Sequence, residues 1–114
     1  MANQLLIDLY DCNVGTLNDL EQIREISHHM IEELHAGIVE ECCHQFHPIG
    51  ITYIAVITTS HFSIHTWPEH KYAAVDIFSC DESLPEEAAK ILITALEAED
   101  YKIRSVEREI ERGR

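Results

Sequence analysis

Residues 58–80 concentrate the side chains most able to act as nucleophiles, bases and acids. Within 58–69 there are hydroxyls at Thr58, Thr59, Ser60 and Ser63 and imidazoles at His61 and His65, and the apolar run 72–80 ends on the thiol of Cys80. A serine close to histidines suits nucleophilic chemistry, because an imidazole can take the hydroxyl proton. No Gly-x-Ser-x-Gly turn surrounds any serine, so a hydrolase elbow has no local support. The same residues also read as a polar turn and a strand end with solvated histidines. Cys42, Cys43, His44, His47, His61, His65 and His70 are possible metal ligands. No Cys-x-x-Cys pair is present, and His61 and His65 converge only on a helix, which the following Thr66-Trp67-Pro68 disfavours. No metal site is expected.

The elements that must position these groups follow from periodicity and turn chemistry. Residues 5–10 read as a strand, closed by Asp11-Cys12-Asn13. Thr16 offers an N-cap with Asp19 three residues on, and Leu17, Leu20, Ile23, Ile26, Met30, Ile31 and Leu34 follow at helical spacing up to Gly37. Strands are expected over 39–46 and over the β-branched stretch 51–58, joined by His47-Pro48-Ile49-Gly50. Residues 60–71 show no clean period, and 72–80 reads as a fourth strand. Ser83-Leu84-Pro85-Glu86 forms a capping box that opens a helix bearing Ala88, Ile91, Leu92, Ala95 and Leu96. A last strand spans 101–106, and the charged tail 107–114 reads as loose. The order β-α-β-β-β-α-β implies an α+β two-layer sandwich, a mainly antiparallel sheet with helices on one face. Such a sheet leaves its other face bare, which makes a homodimer the default expectation.

At 114 residues the chain is expected to be a single domain, 1–114. Its formal charge of -13, from 21 acidic against 8 basic residues, repels phosphate backbones and anionic lipid. Nucleic acid and membrane partners are therefore not expected, whereas a cationic small molecule is compatible. No apolar run reaches the length of a membrane span, and the N-terminal stretch MANQLLIDLYD lacks a basic region with a cleavage site, so a cytoplasmic protein is expected. The four cysteines, two of them adjacent, do not suggest a disulfide framework.

The string SHFSIHTWPE at 60–69, followed by YAAVDIFSC at 72–80, resembles the signature of prokaryotic S-adenosylmethionine decarboxylases, whose usual form is SHLSIHTWPE and YAAVDVFTC. The likeness extends to LLIDLYDC at 5–12 and to the Phe46-His47-Pro48-Ile49-Gly50 turn, and covers nearly the whole chain. The resemblance implies a proenzyme that cleaves itself between Thr59 and Ser60, giving a β chain 1–59 and an α chain 60–114 with a pyruvoyl group made from Ser60. It implies His65 as the processing base, with Thr52 assisting, and Cys80 as the acid that returns a proton to the substrate α-carbon. It implies Phe46 stacking on adenine near the sulfonium and Glu69 holding the ribose hydroxyls. The substrate is then the cation S-adenosylmethionine, decarboxylated to the aminopropyl donor of spermidine synthesis by a homodimer of processed units.

Several positions depart from the family pattern. Thr59 stands where glutamate is usual, Gln4 where histidine is common, Asp11 where glycine is usual and His47 where a small residue is usual. Acyl-shift chemistry needs only the peptide carbonyl, so Thr59 does not forbid cleavage. Carboxylates at Asp11, Asp81 or Glu82 could pair with a guanidinium or ammonium, which leaves decarboxylation of arginine or ornithine as the alternative. A non-cleaving relative is the other alternative. Phe46 and Glu69 favour S-adenosylmethionine.

Overall fold

The computed structural model describes residues 2–80 and 86–111. In chain order these form β1 (Ala2–Tyr10), α1 (Val14–Leu17), α2 (Leu20–Glu33), β2 (Ile38–Gln45), β3 (Ile51–Ile57), β4 (Ser60–Trp67), a 3-10 turn (Pro68–His70), β5 (Tyr72–Ser79), α3 (Glu86–Ala95) and β6 (Asp100–Arg108). The strands make one sheet ordered β2-β3-β4-β5-β1-β6, with every neighbouring pair antiparallel. This is the α+β two-layer sandwich that the element order implies.

Alternation along the strands builds the core. Leu5, Ile7 and Leu9 of β1, Tyr53 and Ala55 of β3, Phe62 and Ile64 of β4, and Val75 and Ile77 of β5 are all buried, together with Ile23, Met30 and Ile31 of α2 and Leu92 of α3. Each such large apolar side chain stabilises the fold by about 1.5–3 kcal/mol. In the helical layer, Ser27 is buried yet satisfied, its hydroxyl donating to the Ile23 carbonyl at 2.7 Å.

Three elements differ from the periodicity reading. The first helical stretch is split: the Asn13 side chain caps α1 by accepting from the Thr16 amide (3.0 Å), and Asp19 caps α2 by accepting from the Gln22 amide (3.1 Å). Short polar side chains compete for backbone donors in this way, and the break frees Asn18, whose Oδ1 accepts from the Gly50 amide at 3.0 Å. The second difference is β4, a full strand where no period was evident. Thr66 faces the core, its hydroxyl donating to the Leu17 carbonyl (2.8 Å) and accepting from the Ile51 amide (2.9 Å), while Trp67 faces outward. A satisfied inward hydroxyl beside an outward indole inverts the usual pattern at the end of the strand. The final strand runs on to Arg108, into the segment expected to be loose. Ser83 to Pro85 of the expected capping box, and Asp81 and Glu82, lie outside the described residues.

The face away from the helices is open. It carries Thr52, Ile54 and Val56 of β3, His61, Ser63, His65 and Trp67 of β4, and Tyr72, Asp76 and Phe78 of β5. Ile54, Val56 and Trp67 are 43%, 49% and 42% exposed. Among the described residues no helix is long and apolar enough to cross a membrane.

Candidate active site

The residues singled out by sequence fall into two clusters at opposite ends of the open face. At one end a cleft of about 340 Å³ is lined by Phe46, Gly50, Thr52, His65, Trp67 and Glu69. Register creates it: Thr52 on β3 lies directly opposite His65 on β4, and Thr52 Oγ1 sits 2.9 Å from His65 Nδ1. In the tautomer that donates Nδ1–H to that hydroxyl, Nε2 keeps its lone pair and can act as a base. The β2–β3 turn brings in Phe46, whose amide donates to the Gly50 carbonyl at 2.8 Å. Gly50 has φ +109° with the Thr66 carbonyl 3.4 Å from where a Cβ would stand, so a side chain here would be strained. Phe46 is 49% exposed and meets His44 edge-on at 4.5 Å, which leaves its ring available for stacking. Glu69 enters on the 3-10 turn after Trp67.

At the other end lie Thr59, Ser60 and Cys80. Ser60 opens β4 opposite Ser79 with φ +148°, a conformation L-residues seldom adopt and one that costs of order 1–3 kcal/mol. The Cys80 amide donates to the Thr59 carbonyl oxygen at 2.9 Å, and Cys80 itself is exposed. The turn before Ser60 is held from a second side, the Thr58 amide donating to the Gly37 carbonyl (2.9 Å) and the Gly37 amide donating to Thr58 Oγ1 (3.0 Å). The Thr59 carbonyl is thus polarised by a fixed donor, next to a strained residue that carries a hydroxyl.

Ser60 and His65 are five residues apart on one strand, which at about 3.3 Å per residue separates them by roughly 17 Å. One chain therefore holds the Ser60 hydroxyl and the His65 imidazole far apart. The remaining cysteines lie apart from both clusters or outside the chemistry: Cys12 is buried, its thiol pushed up to about 11 chiefly by burial, and all four are free thiols.

Sequence reasoning passed over a polar chain that braces the cleft. Tyr72 Oη donates to Asp8 Oδ1, Arg104 donates to Asp8 Oδ2 at 3.1 Å, and the Tyr72 ring packs 5.5 Å from both Trp67 and Tyr10. Burial, then the Asp8 contact, pushes the Tyr72 hydroxyl well above its ordinary range and keeps it a donor. The signal in the sequence is Asp8, one carboxylate interrupting the apolar run Leu5-Leu6-Ile7 and Leu9.

Comparison with known proteins places the chain in a family. The family model described as S-adenosylmethionine decarboxylase matches residues 3–109. A protein of Thermodesulfovibrio yellowstonii named S-adenosylmethionine decarboxylase proenzyme is 40% identical over 111 residues, covering 96% of this chain and 82% of that protein. One of the same name from Prochlorococcus marinus is 39% identical over 110 residues, covering 96% and 88%. The crystal structure of the adenosylmethionine decarboxylase from Aquifex aeolicus superposes with a TM-score of 0.89 at 31% identity, covering 100% of this chain and 95% of that one. The chain belongs to the S-adenosylmethionine decarboxylase family.

Proposed function

We propose that the protein is a self-cleaving S-adenosylmethionine decarboxylase whose pyruvoyl group is made from Ser60. The observation that carries this reading is Ser60 at φ +148° directly after a carbonyl held by the Cys80 amide. In the cleavage, Ser60 Oγ attacks the Thr59 carbonyl carbon and the Cys80 amide supports the oxyanion that forms. The peptide C–N bond breaks to leave an ester and a free amine, which releases the backbone strain. A base takes the Ser60 α-proton, the Thr59 carboxylate departs, and the resulting enamine hydrolyses with one water to pyruvoyl and ammonia. The products are chains 1–59 and 60–114. The pyruvoyl group supplies the ketone that condenses with the substrate amine and takes up the electron pair left as carbon dioxide departs.

The chain's own residues bind and protonate. Phe46 offers an aromatic face to adenine and to the sulfonium cation, Glu69 accepts from the ribose hydroxyls, and Trp67 closes the cleft beside them. Cys80 stands at the cleavage site and returns a proton to the α-carbon.

The separation of the two clusters supports a homodimer packed through the open faces. A two-fold axis between the sheets, passing near Ser63, carries the His65 end of one copy over the Ser60 end of the other, so two complete sites form. Exposed Ile54, Val56 and Val106 provide the apolar area of such a contact. Intact-mass analysis together with carbon dioxide release from carboxyl-labelled substrates tests the reading. Two fragments, the second beginning with pyruvoyl, and release from S-adenosylmethionine are expected. Release from arginine or ornithine instead would transfer the assignment to a basic amino acid, and an uncut, inert chain would end it.

A further inference from the structure

His61 is an imidazole that neither cleavage nor substrate binding uses, and it faces the open side one strand from Cys80. It lies opposite Phe78 on β5 and opposite Val56 on β3, with its ring 5.7 Å from the Phe78 ring at 40°. Just beyond the end of β5 the Cys80 amide still pairs with the Thr59 carbonyl at 2.9 Å, which continues the β4–β5 register and sets Cys80 two residues on from Phe78, the partner of His61. His61 and Cys80 are therefore diagonal cross-strand neighbours, a spacing of about 7–8 Å or somewhat less between Cβ atoms that long side chains span directly or through one water. Among the described residues, the charged groups near the ring are Asp76, the opposite diagonal on β5, and Arg108 of β6, whose guanidinium lies 5.4 Å over Phe78. The Phe78 ring packs against the imidazole, and His61 is half-buried.

We infer that His61 is the residue that reprotonates Cys80 between turnovers, acting through the thiol without touching the substrate. This rests on the decarboxylase reading, in which Cys80 loses a proton in each cycle. The Cys80 S–H bond breaks as the α-carbon C–H bond forms, leaving a thiolate. The His61 imidazolium N–H then gives its proton to sulfur, and the neutral imidazole takes one from bulk water. One proton is taken up for each carboxylate lost as carbon dioxide, and nothing is oxidised or reduced.

The experiment compares wild type, His61→Ala and His61→Phe as full-length proteins, with intact mass for cleavage, steady-state kinetics on S-adenosylmethionine, and added imidazole. Both variants are expected to cleave as wild type does and to keep KM within about two-fold. Their kcat falls by about 10- to 100-fold, and imidazole restores turnover to His61→Ala in proportion to its concentration. Wild-type kcat in His61→Phe, where the ring packing survives and the proton does not, would make the role one of packing and overturn the proposal. A loss that imidazole fails to relieve, or a His61→Ala chain that stays uncut, would overturn it as well. A wild-type protein that releases no carbon dioxide from S-adenosylmethionine instead overturns the decarboxylase reading, and this proposal falls with it.

Discussion

Ser60 joins two properties that rarely meet, a hydroxyl nucleophile and a strained φ, with the carbonyl before it pinned by the Cys80 amide. Ser60→Ala is expected to leave one uncut chain without activity, seen as a single species by mass, because no hydroxyl remains for the acyl shift. Cys80→Ala keeps the backbone amide that supports cleavage and loses only the thiol. It is therefore expected to cut normally and to turn over about 10²-fold or more slowly in steady-state assay. Thr59 in place of the family's usual glutamate leaves the carbonyl and its donor untouched, which is why the departure is compatible with cleavage.

Among the elements, α2 is fastened to β2 and β3 by one carboxylate. Glu41 accepts from Tyr53 Oη (2.7 Å), from His28 Nε2 (2.6 Å), and from Arg24 through Nε and Nη2 (3.0 and 2.8 Å). The Tyr53 hydrogen bond, followed by those from His28 and Arg24, holds this carboxyl down to about 2 from its ordinary 4.5, against an opposing desolvation. A carboxyl depressed in the folded state adds stability that is complete above its unfolded value and lost as pH falls through the folded one. Glu41→Gln is expected to lower urea-unfolding stability at pH 7 by about 1–2 kcal/mol. The gap between wild type and variant should close as pH falls from about 4.5 towards about 2. A gap that stays constant over that window would show that the ionised carboxylate is not what fastens the helix.

For the whole molecule, the roughly 17 Å between Ser60 and His65 makes shared sites testable without a structure of the pair. A His65→Ala chain alone should stay uncut. Co-expressed with Ser60→Ala chains, it should be cut, because the partner supplies the imidazole while the His65→Ala chain supplies the serine. Cleavage seen by intact mass only in the mixture is the expected result. An uncut mixture would require His65 to act within its own chain. Val56→Asp, on the open face and opposite His61, should yield monomers by sedimentation and abolish cleavage, since burying a carboxylate in an apolar contact carries a desolvation penalty.

Local sequence determined a good deal by itself. Apolar and β-branched runs marked β1, β3 and β5, and helical spacing marked α2 because Ile23, Met30 and Ile31 fall on one stripe. The signature at 60–69 and 72–80 pointed to the family that the family model and the relatives show. Tertiary structure decided what those residues can reach. The strand β4 was hidden because Thr66 is satisfied by partners 49 and 15 residues away, which no local pattern records. The helix break at Asn18 answers to Gly50, far along the chain. The division of the site into two ends follows from the rise of an extended strand: residues adjacent in the motif become distant in space once the segment is β. Only the sheet, with one covered face and one open face, turns that distance into a reason for a second copy.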